Sequence, residues 1–185
     1  MSESLPCTRP DIRLFGTVDQ QMVSEFLRQQ AEAPTDRALV LELWTLGGDA
    51  DAGRRIAQEV RQWQRAGQEL YFFGKSNVYS AGISIMAAFR RERRFLSQDC
   101  ELLIHERKLQ MDLQLQGALR SCATQVRNVL AEIESGQRLE RDGFAELVEG
   151  ASITLGDLQA RVWEKDWYLA AAEAQHLRLV AGLVA

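Results

Sequence analysis

Ser80, in "YSAG", and His105, in "LLIHE", are the pair of side chains in this sequence with the clearest capacity for covalent chemistry. A serine hydroxyl is a poor nucleophile at neutral pH. It needs a base to take its proton, a group to orient that base, and N–H donors for the oxyanion that forms. Ser80 stands where a strand-like segment gives way to a helical one. That placement exposes the oxygen and sets it at the positive end of a helix. The N–H of Ala81 lies in the first helical turn, where backbone donors lack intrahelical partners. Gly48, in "TLGGDA", can bring a second N–H close, because glycine has no Cβ in the way. Together these residues point to acyl transfer through a serine.

Each piece has a plainer use. A serine at a helix start is usually an N-cap. A Gly-Gly turn before a helix is usually a turn, and "TLGGDA" lacks the spacing of a dinucleotide or P-loop motif. The orienting carboxylate is open on chemistry alone: Asp142, Asp157, Glu164 and Asp166 are equally available. Ser76 and Ser84, flanking Ser80, lack its position at the strand–helix junction.

The elements that must position these residues alternate between strand and helix. "DIRLFG" (11–16) reads as a strand, followed by a helix capped by Asp19 and ended by Pro34. "RALVLELW" (37–44) is a buried strand. After Gly47-Gly48, Asp49 caps a helix that places Gly53, Ile56, Ala57, Val60 and Trp63 on one face. "QELYFFG" is the next strand, "SAGISIMAAFRRER" the next helix, and "CELLIHE" a strand that carries His105. A long helical signal follows, with Leu119, Cys122, Val126, Leu130 and Ile133 on one apolar face and a break or bend expected near Ser135-Gly136. That face makes Cys122 a core residue. "TLGDLQARV" opens with a capping-box pattern, Thr154 with Asp157. Such alternation predicts an α/β fold with a parallel sheet, and ligands in such folds sit at the carboxyl ends of strands. Gly48, Ser80 and His105 all fall there.

Composition narrows the classes. The chain has 185 residues, a length that suits one domain. Its net charge of −4 gives no global field for nucleic acid or acidic membranes. "RRERR" (90–94), the one basic run, reads as a solvated turn. No apolar stretch approaches a membrane span, and "MSESLPCTRP" does not read as a signal peptide, so the expected location is the cytoplasm. Three cysteines (7, 100, 122) and two histidines (105, 176) offer no metal-ligand spacing. No metal and no cofactor is expected.

Taken together, these segments resemble the proteolytic subunit of the Clp (caseinolytic) serine peptidases, from about Ile12 to Val184. "LWTLGGDADAG" resembles the family's "NSPGG" turn with its following helix. "VYSAGISIMAAF" resembles "ASMGAFLLAAG", with Ser80 on the nucleophile, and "LLIHE" resembles "VMIHQ", with His105 on the base, 25 residues on, as in the family. "EKDWYLAAAEA" resembles "ERDRFLSAPEA" and puts Asp166 on the orienting carboxylate. The resemblance implies a Clp/crotonase-like fold of repeated β-β-α units with a protruding helical handle. It implies a single domain over 1–185, with a short N-terminal extension (1–10) and a handle with an insertion at about 106–150. The implied site is Ser80, His105 and Asp166, with backbone donors from Gly48 and Ala81 for the oxyanion. The implied activity is endopeptidase cleavage of polypeptides, paired as an extended strand beside "TLGG" and the residues after His105. The implied assembly is a heptameric homo-oligomeric ring, which the family stacks into a tetradecamer.

The sequence departs from the family in three places. Leu46 replaces a proline, which predicts a less rigid oxyanion turn. "HERKLQMDLQLQG" lacks the Gln-Pro and glycine-rich piece that follow the family's histidine, so an altered handle and ring-to-ring contact are expected. Only Met1–Pro10 precede the first strand, which weighs against docking to an AAA+ ATPase. Two other functions fit parts of the pattern. One is a crotonase-type enzyme acting on acyl-CoA, which also uses two N–H donors. The other is a non-catalytic Clp-like subunit or scaffold.

Overall fold

The computed structural model describes residues 9–185. The expectations for Cys7 and for most of the 1–10 extension lie outside the described residues. Seven strands form one sheet. β1 (Ile12–Phe15), β2 (Leu39–Thr45), β3 (Leu70–Tyr79), β4 (Arg94–Ser97) and β7 (Gly182–Val184) run side by side in that order, and every neighbouring pair is parallel. The α/β class is as the sequence implies, with a mixed sheet. β5 (Glu101–Ile104) pairs parallel with the far end of β3, and β6 (Trp167–Ala170) pairs antiparallel with β5.

The division of β3 between two partners sets up the site. Its residues Phe72–Gly74 pair with β4 and Asn77–Tyr79 with β5. Between them Ser76 takes a positive φ of 54°. The sheet therefore splits at Ser76, and a three-stranded flap of β3, β5 and β6 turns away from β4. β3 joins two stretches of sequence: "GKSNVY" continues the strand that "QELYFFG" begins, although its polar residues hide the fact.

The helices are α1 (Gln20–Glu32), α2 (Ala50–Arg65), α3 (Ala81–Ala87), α4 (Leu119–Val148), α5 (Leu155–Val162) and α6 (Ala171–His176). Local chemistry starts them as the sequence predicts. Asp19 accepts from the Met22 N–H, Asp49 accepts from Asp51 and Ala52, and Thr154 with Asp157 makes a complete capping box. Asp serves as well as Glu there because its carboxylate still reaches the Thr154 N–H, at 3.2 Å. All six helices contribute to one apolar core with the strands, including Phe26, Ile56, Ile85, Leu147, Leu158 and Ala174. The opposite sheet face holds a small cluster built from strand residues alone: Val40, Phe73 and Phe95, flanked by Tyr71 and Val184. Helices thus cover one face of the sheet. Along the other, Phe15, Trp44 and Tyr168 stay 55%, 38% and 54% exposed. A mainly parallel sheet normally has both faces covered.

Three sequence expectations need correction. α4 runs through Ser135-Gly136 without a break, 30 residues and about 45 Å long. A helical glycine costs only about 1 kcal/mol against alanine, too little to end a long helix. Its apolar face is not buried: Leu119, Val126 and Leu130 are 87%, 44% and 52% exposed, and Cys122 is only partly buried. The helix packs through its last turns alone, at Phe144 and Leu147. The basic run at 90–94 is not a solvated turn throughout, since it ends in the buried strand β4. Arg94 is 2% exposed, and its guanidinium donates to the carbonyls of Ala87, Phe89, Glu146, Leu147 and Leu179. It ties the end of α3 to the end of α4 and the approach to β7. Burial pulls its pKa down to about 10.

Candidate active site

The turn after β2 is built around two glycines. Gly47 has φ 104° and Gly48 φ 147°, a region L side chains rarely adopt. Space excludes them too. A Cβ on Gly48 would lie 2.3 Å from the Val18 carbonyl oxygen, and one on Gly47 would lie 2.8 Å from Ser80 Cβ. Val18 bridges the turn: its N–H donates to Gly47 O at 2.9 Å, and its carbonyl accepts from Asp49 N–H at 2.7 Å. Buried Thr45 clamps it from below, its hydroxyl accepting from Gly47 N–H at 3.0 Å and donating to Gly47 O at 3.3 Å. The looseness expected from Leu46 in place of proline is offset by these four bonds. Leu46 itself is 63% exposed. The Gly48 N–H has no acceptor among the described residues.

Ser80 sits beside this turn at the junction of β3 and α3. Its backbone takes φ 54°, ψ −114°, a strained combination for a residue with a Cβ. The Ser80 N–H donates to Leu103 O at 2.8 Å, and its carbonyl starts α3 by accepting from Ile83. Its position is that of an N-cap, yet its side chain makes no capping hydrogen bond. The ordinary use of a serine here is therefore not made, and the hydroxyl is left free. Its oxygen lies 3.3 Å from the point a Cβ on Gly47 would occupy, so it stands directly against the glycine turn. Ala81 follows as the first residue of α3, and its N–H has no intrahelical acceptor.

His105 comes one residue after β5, whose Leu103 pairs with Tyr79 of β3. Asp166 comes one residue before β6. The β5–β6 ladder ends at Ile104 opposite Trp167, so His105 and Asp166 are the first residues beyond its last pair, and both line one hollow. The strand pairings thus place Ser80, His105 and Asp166 along the carboxyl end of the β3–β5–β6 flap.

A cavity of about 870 Å³ opens at this edge, and Gly48, Ser80, Ala81 and His105 all line it. α2 and the packed end of α4 form its far wall, joined by the two-pronged ion pair of Arg61 with Glu146. Asp166 lies outside this cavity. It lines a smaller hollow of about 490 Å³ with Glu164, and the wall between the two spaces is the segment 105–108.

The hydrogen bonds show how the three side chains stand. His105 Nδ1 lies 2.5 Å from the Glu106 carbonyl oxygen. A carbonyl only accepts, so Nδ1 is the donor in this contact, and Nε2 is the ring nitrogen without a partner among the described residues. Asp166 accepts from Lys108 Nζ at 3.1 Å rather than from His105. Residues 106–108 are held at every position. The Glu106 carboxylate accepts from Glu164 N–H at 2.8 Å, the Arg107 N–H donates to Glu140 of α4, and the Arg107 guanidinium pairs with Asp51 at 2.9 Å. Burial raises the pKa of Glu140, the largest influence on it.

Of the sequence-derived candidates, Gly48, Ser80, Ala81 and His105 share one cavity, and Asp166 adjoins it. The other carboxylates divide. Asp157 is spent on its capping box, Glu164 is exposed and gives its N–H to Glu106, and Asp142 lines the cavity from α4. Sequence reasoning missed the charged run 106–108 and Glu140. The acidic–basic alternation of "HERK" was visible, but its partners at 51, 140, 164 and 166 come together only in the fold.

No family model matches the sequence, and no curated protein matches it. Among solved structures, a point mutant of ClpP1 from Listeria monocytogenes superposes with a TM-score of 0.72 over 94% of this chain and 90% of that one, at 16% sequence identity. At that identity the likeness shows the fold: the chain has a Clp/crotonase-like architecture.

Proposed function

We propose that this chain is a serine endopeptidase that cleaves unfolded polypeptides, with Ser80 as nucleophile, His105 as general base and Asp166 as the carboxylate that orients the imidazole. The observation that carries the reading is Ser80 itself. It is held at φ 54°, ψ −114°, its hydroxyl uncapped and set against a glycine turn, in the cavity that His105 also lines. Strained backbone is retained where the surroundings enforce it, and such positions gather at active sites.

The chemistry follows from the placement. Ser80 Oγ attacks the scissile carbonyl carbon while Nε2 of His105 takes the hydroxyl proton. The carbonyl oxygen becomes an oxyanion, and the N–H groups of Gly48 and Ala81 receive it. Collapse of the tetrahedral species expels the amine, which takes the proton from His105. Water, deprotonated by the same imidazole, then releases the acyl group and restores Ser80.

The reading extends to the assembly. Two surfaces are apolar and bare in the single chain: the strand face with Phe15, Trp44 and Tyr168, and the stripe of α4 from Leu119 to Ile133. We assign them to contacts with further copies of the chain, the sheet face within a heptameric ring and α4, as the handle within about 106–150, between rings. Residues 1–185 then act as one domain, in the cytoplasm, with no cofactor. The protein to which the fold is similar is named as ClpP1, which supports the reading without identifying this chain's substrate.

A second reading is a non-catalytic subunit of the same fold. One observation favours it: Asp166 is bonded to Lys108 and not to His105. An unstructured polypeptide incubated with the purified protein separates the two. The peptidase reading expects peptide products from wild type, none from Ser80→Ala, and a ring by native mass spectrometry. Intact polypeptide after incubation with the assembled ring would favour the non-catalytic subunit.

A further inference from the structure

We propose that Lys108 is a positioning residue that competes with His105 for Asp166 and so sets the resting reactivity of Ser80. The inference rests on the peptidase reading and concerns how that same site is regulated. His105 and Asp166 are the first residues beyond the last β5–β6 pair, Ile104 with Trp167, and both line the same hollow. Yet the Asp166 carboxylate accepts from Lys108 Nζ at 3.1 Å, while His105 Nδ1–H donates to its own neighbour's carbonyl, Glu106 O, at 2.5 Å. Both halves of a His–Asp hydrogen bond are therefore present and both are engaged elsewhere. The Glu106 carbonyl is neutral, so it holds the Nδ1–H of His105 but stabilises the imidazolium that forms during attack less than an opposite charge does. A carboxylate does both.

Lys108 is held in place to compete. The residues before it are fastened to three separate elements: Glu106 to Glu164 N–H, Arg107 N–H to Glu140 on α4, and the Arg107 side chain to Asp51 on α2. These anchors deliver the ammonium to Asp166 from a fixed backbone, and the same segment is the wall between the Ser80 cavity and the Asp166 hollow. The competition is reversible. The lysine and aspartate side chains are 69% and 39% exposed, so the ion pair is screened by water and salt. Exposed pairs of this kind contribute at most about 1 kcal/mol, which is roughly a fivefold population ratio. Asp166 thus leaves Lys108 readily once something else takes the ammonium.

The test is the rate at which an uncharged fluorophosphonate labels Ser80 in the assembled protein, with the adduct located by mass spectrometry. Lys108→Met keeps the apolar stem and removes the cation. It is expected to label about two- to fivefold faster than wild type. Lys108→Arg is expected to label at the wild-type rate. In an Asp166→Asn background, Lys108→Met is expected to give no acceleration, an outcome a merely structural lysine would not produce. Raising salt from low to about half-molar should speed wild type toward the Lys108→Met rate and leave that variant flat, because screening acts on the same pair. If Lys108→Met fails to fold, the salt response of wild type decides alone: a rise supports the competition and a flat response overturns it. Labelling of Ser80 that is equal or slower in folded Lys108→Met overturns the inference and leaves the peptidase reading standing. No adduct on Ser80 in any variant removes both.

Discussion

Replacing Ser80 by glycine should stabilise the protein relative to replacing it by alanine. Alanine and glycine both delete the hydroxyl, and that hydroxyl makes no capping bond, so its loss costs the fold little. They differ at Cβ. At φ 54°, ψ −114° alanine keeps the strain that Ser80 carries, while glycine does not. Such positions store about 1–3 kcal/mol. Glycine gives back about 0.4–1 kcal/mol by loosening the unfolded chain. The difference leaves Ser80→Gly ahead of Ser80→Ala by about 1 kcal/mol, with an upper end near 2.5 kcal/mol. For a chain of this size that is roughly 2–4 °C in Tm per kcal/mol. Paired thermal scans at matched protein concentration measure it, since assembly shifts apparent stability. A Ser80→Gly protein no more stable than Ser80→Ala would refute the claim that strain is stored at this position.

Three further outcomes follow from single side chains. Arg94→Leu strands buried carbonyls of α3, α4 and the approach to β7, and should destabilise the fold by about 3 kcal/mol or more in denaturant titration. Cys100, buried and pushed up to about 12 by desolvation, should resist alkylation at pH 8 in the native protein and react once the chain is unfolded in denaturant; peptide mapping after iodoacetamide reads both states. Glu140 has its pKa raised on folding, so the folded state binds its proton more tightly than the unfolded state does. Its contribution is complete below the unfolded value near 4.5 and is lost as pH rises through the folded value. Glu140→Gln keeps an acceptor for Arg107 N–H without the buried charge. It should remove that loss, seen as a smaller drop in stability between acid and neutral pH.

What the sequence discloses and what it hides divide by the distance of the partners. Caps at Asp19, Asp49 and Thr154 are legible because donor and acceptor lie within three residues. The glycine turn, Ser80 and His105 are legible because they sit at strand ends, where an alternating α/β pattern puts its ligands. β4 is hidden, because "RRERRFLS" looks like a basic turn until Arg94 finds carbonyls as far as 85 residues away. The second half of β3 is hidden by Lys75, Ser76 and Asn77, polar residues in a strand that changes partner at Ser76. The α4 stripe has the periodicity of a packed face, yet it stays exposed in the single chain, since periodicity reports a face and not what covers it. Asp166 could not be chosen from chemistry among four carboxylates. The β5–β6 ladder is what brings it beside His105, just beyond the last pair, and only the folded chain reveals Lys108 as its present partner.

The measurement that bears most directly on the central claim is the site of a fluorophosphonate adduct. Wild type, labelled as an assembled protein and mapped by tandem mass spectrometry, should carry a single adduct on the peptide around Ser80. Ser80→Ala should carry none, and His105→Ala should label far more slowly because the base is gone. An adduct that persists in Ser80→Ala, or an unlabelled wild type, would contradict the assignment of Ser80 as the nucleophile.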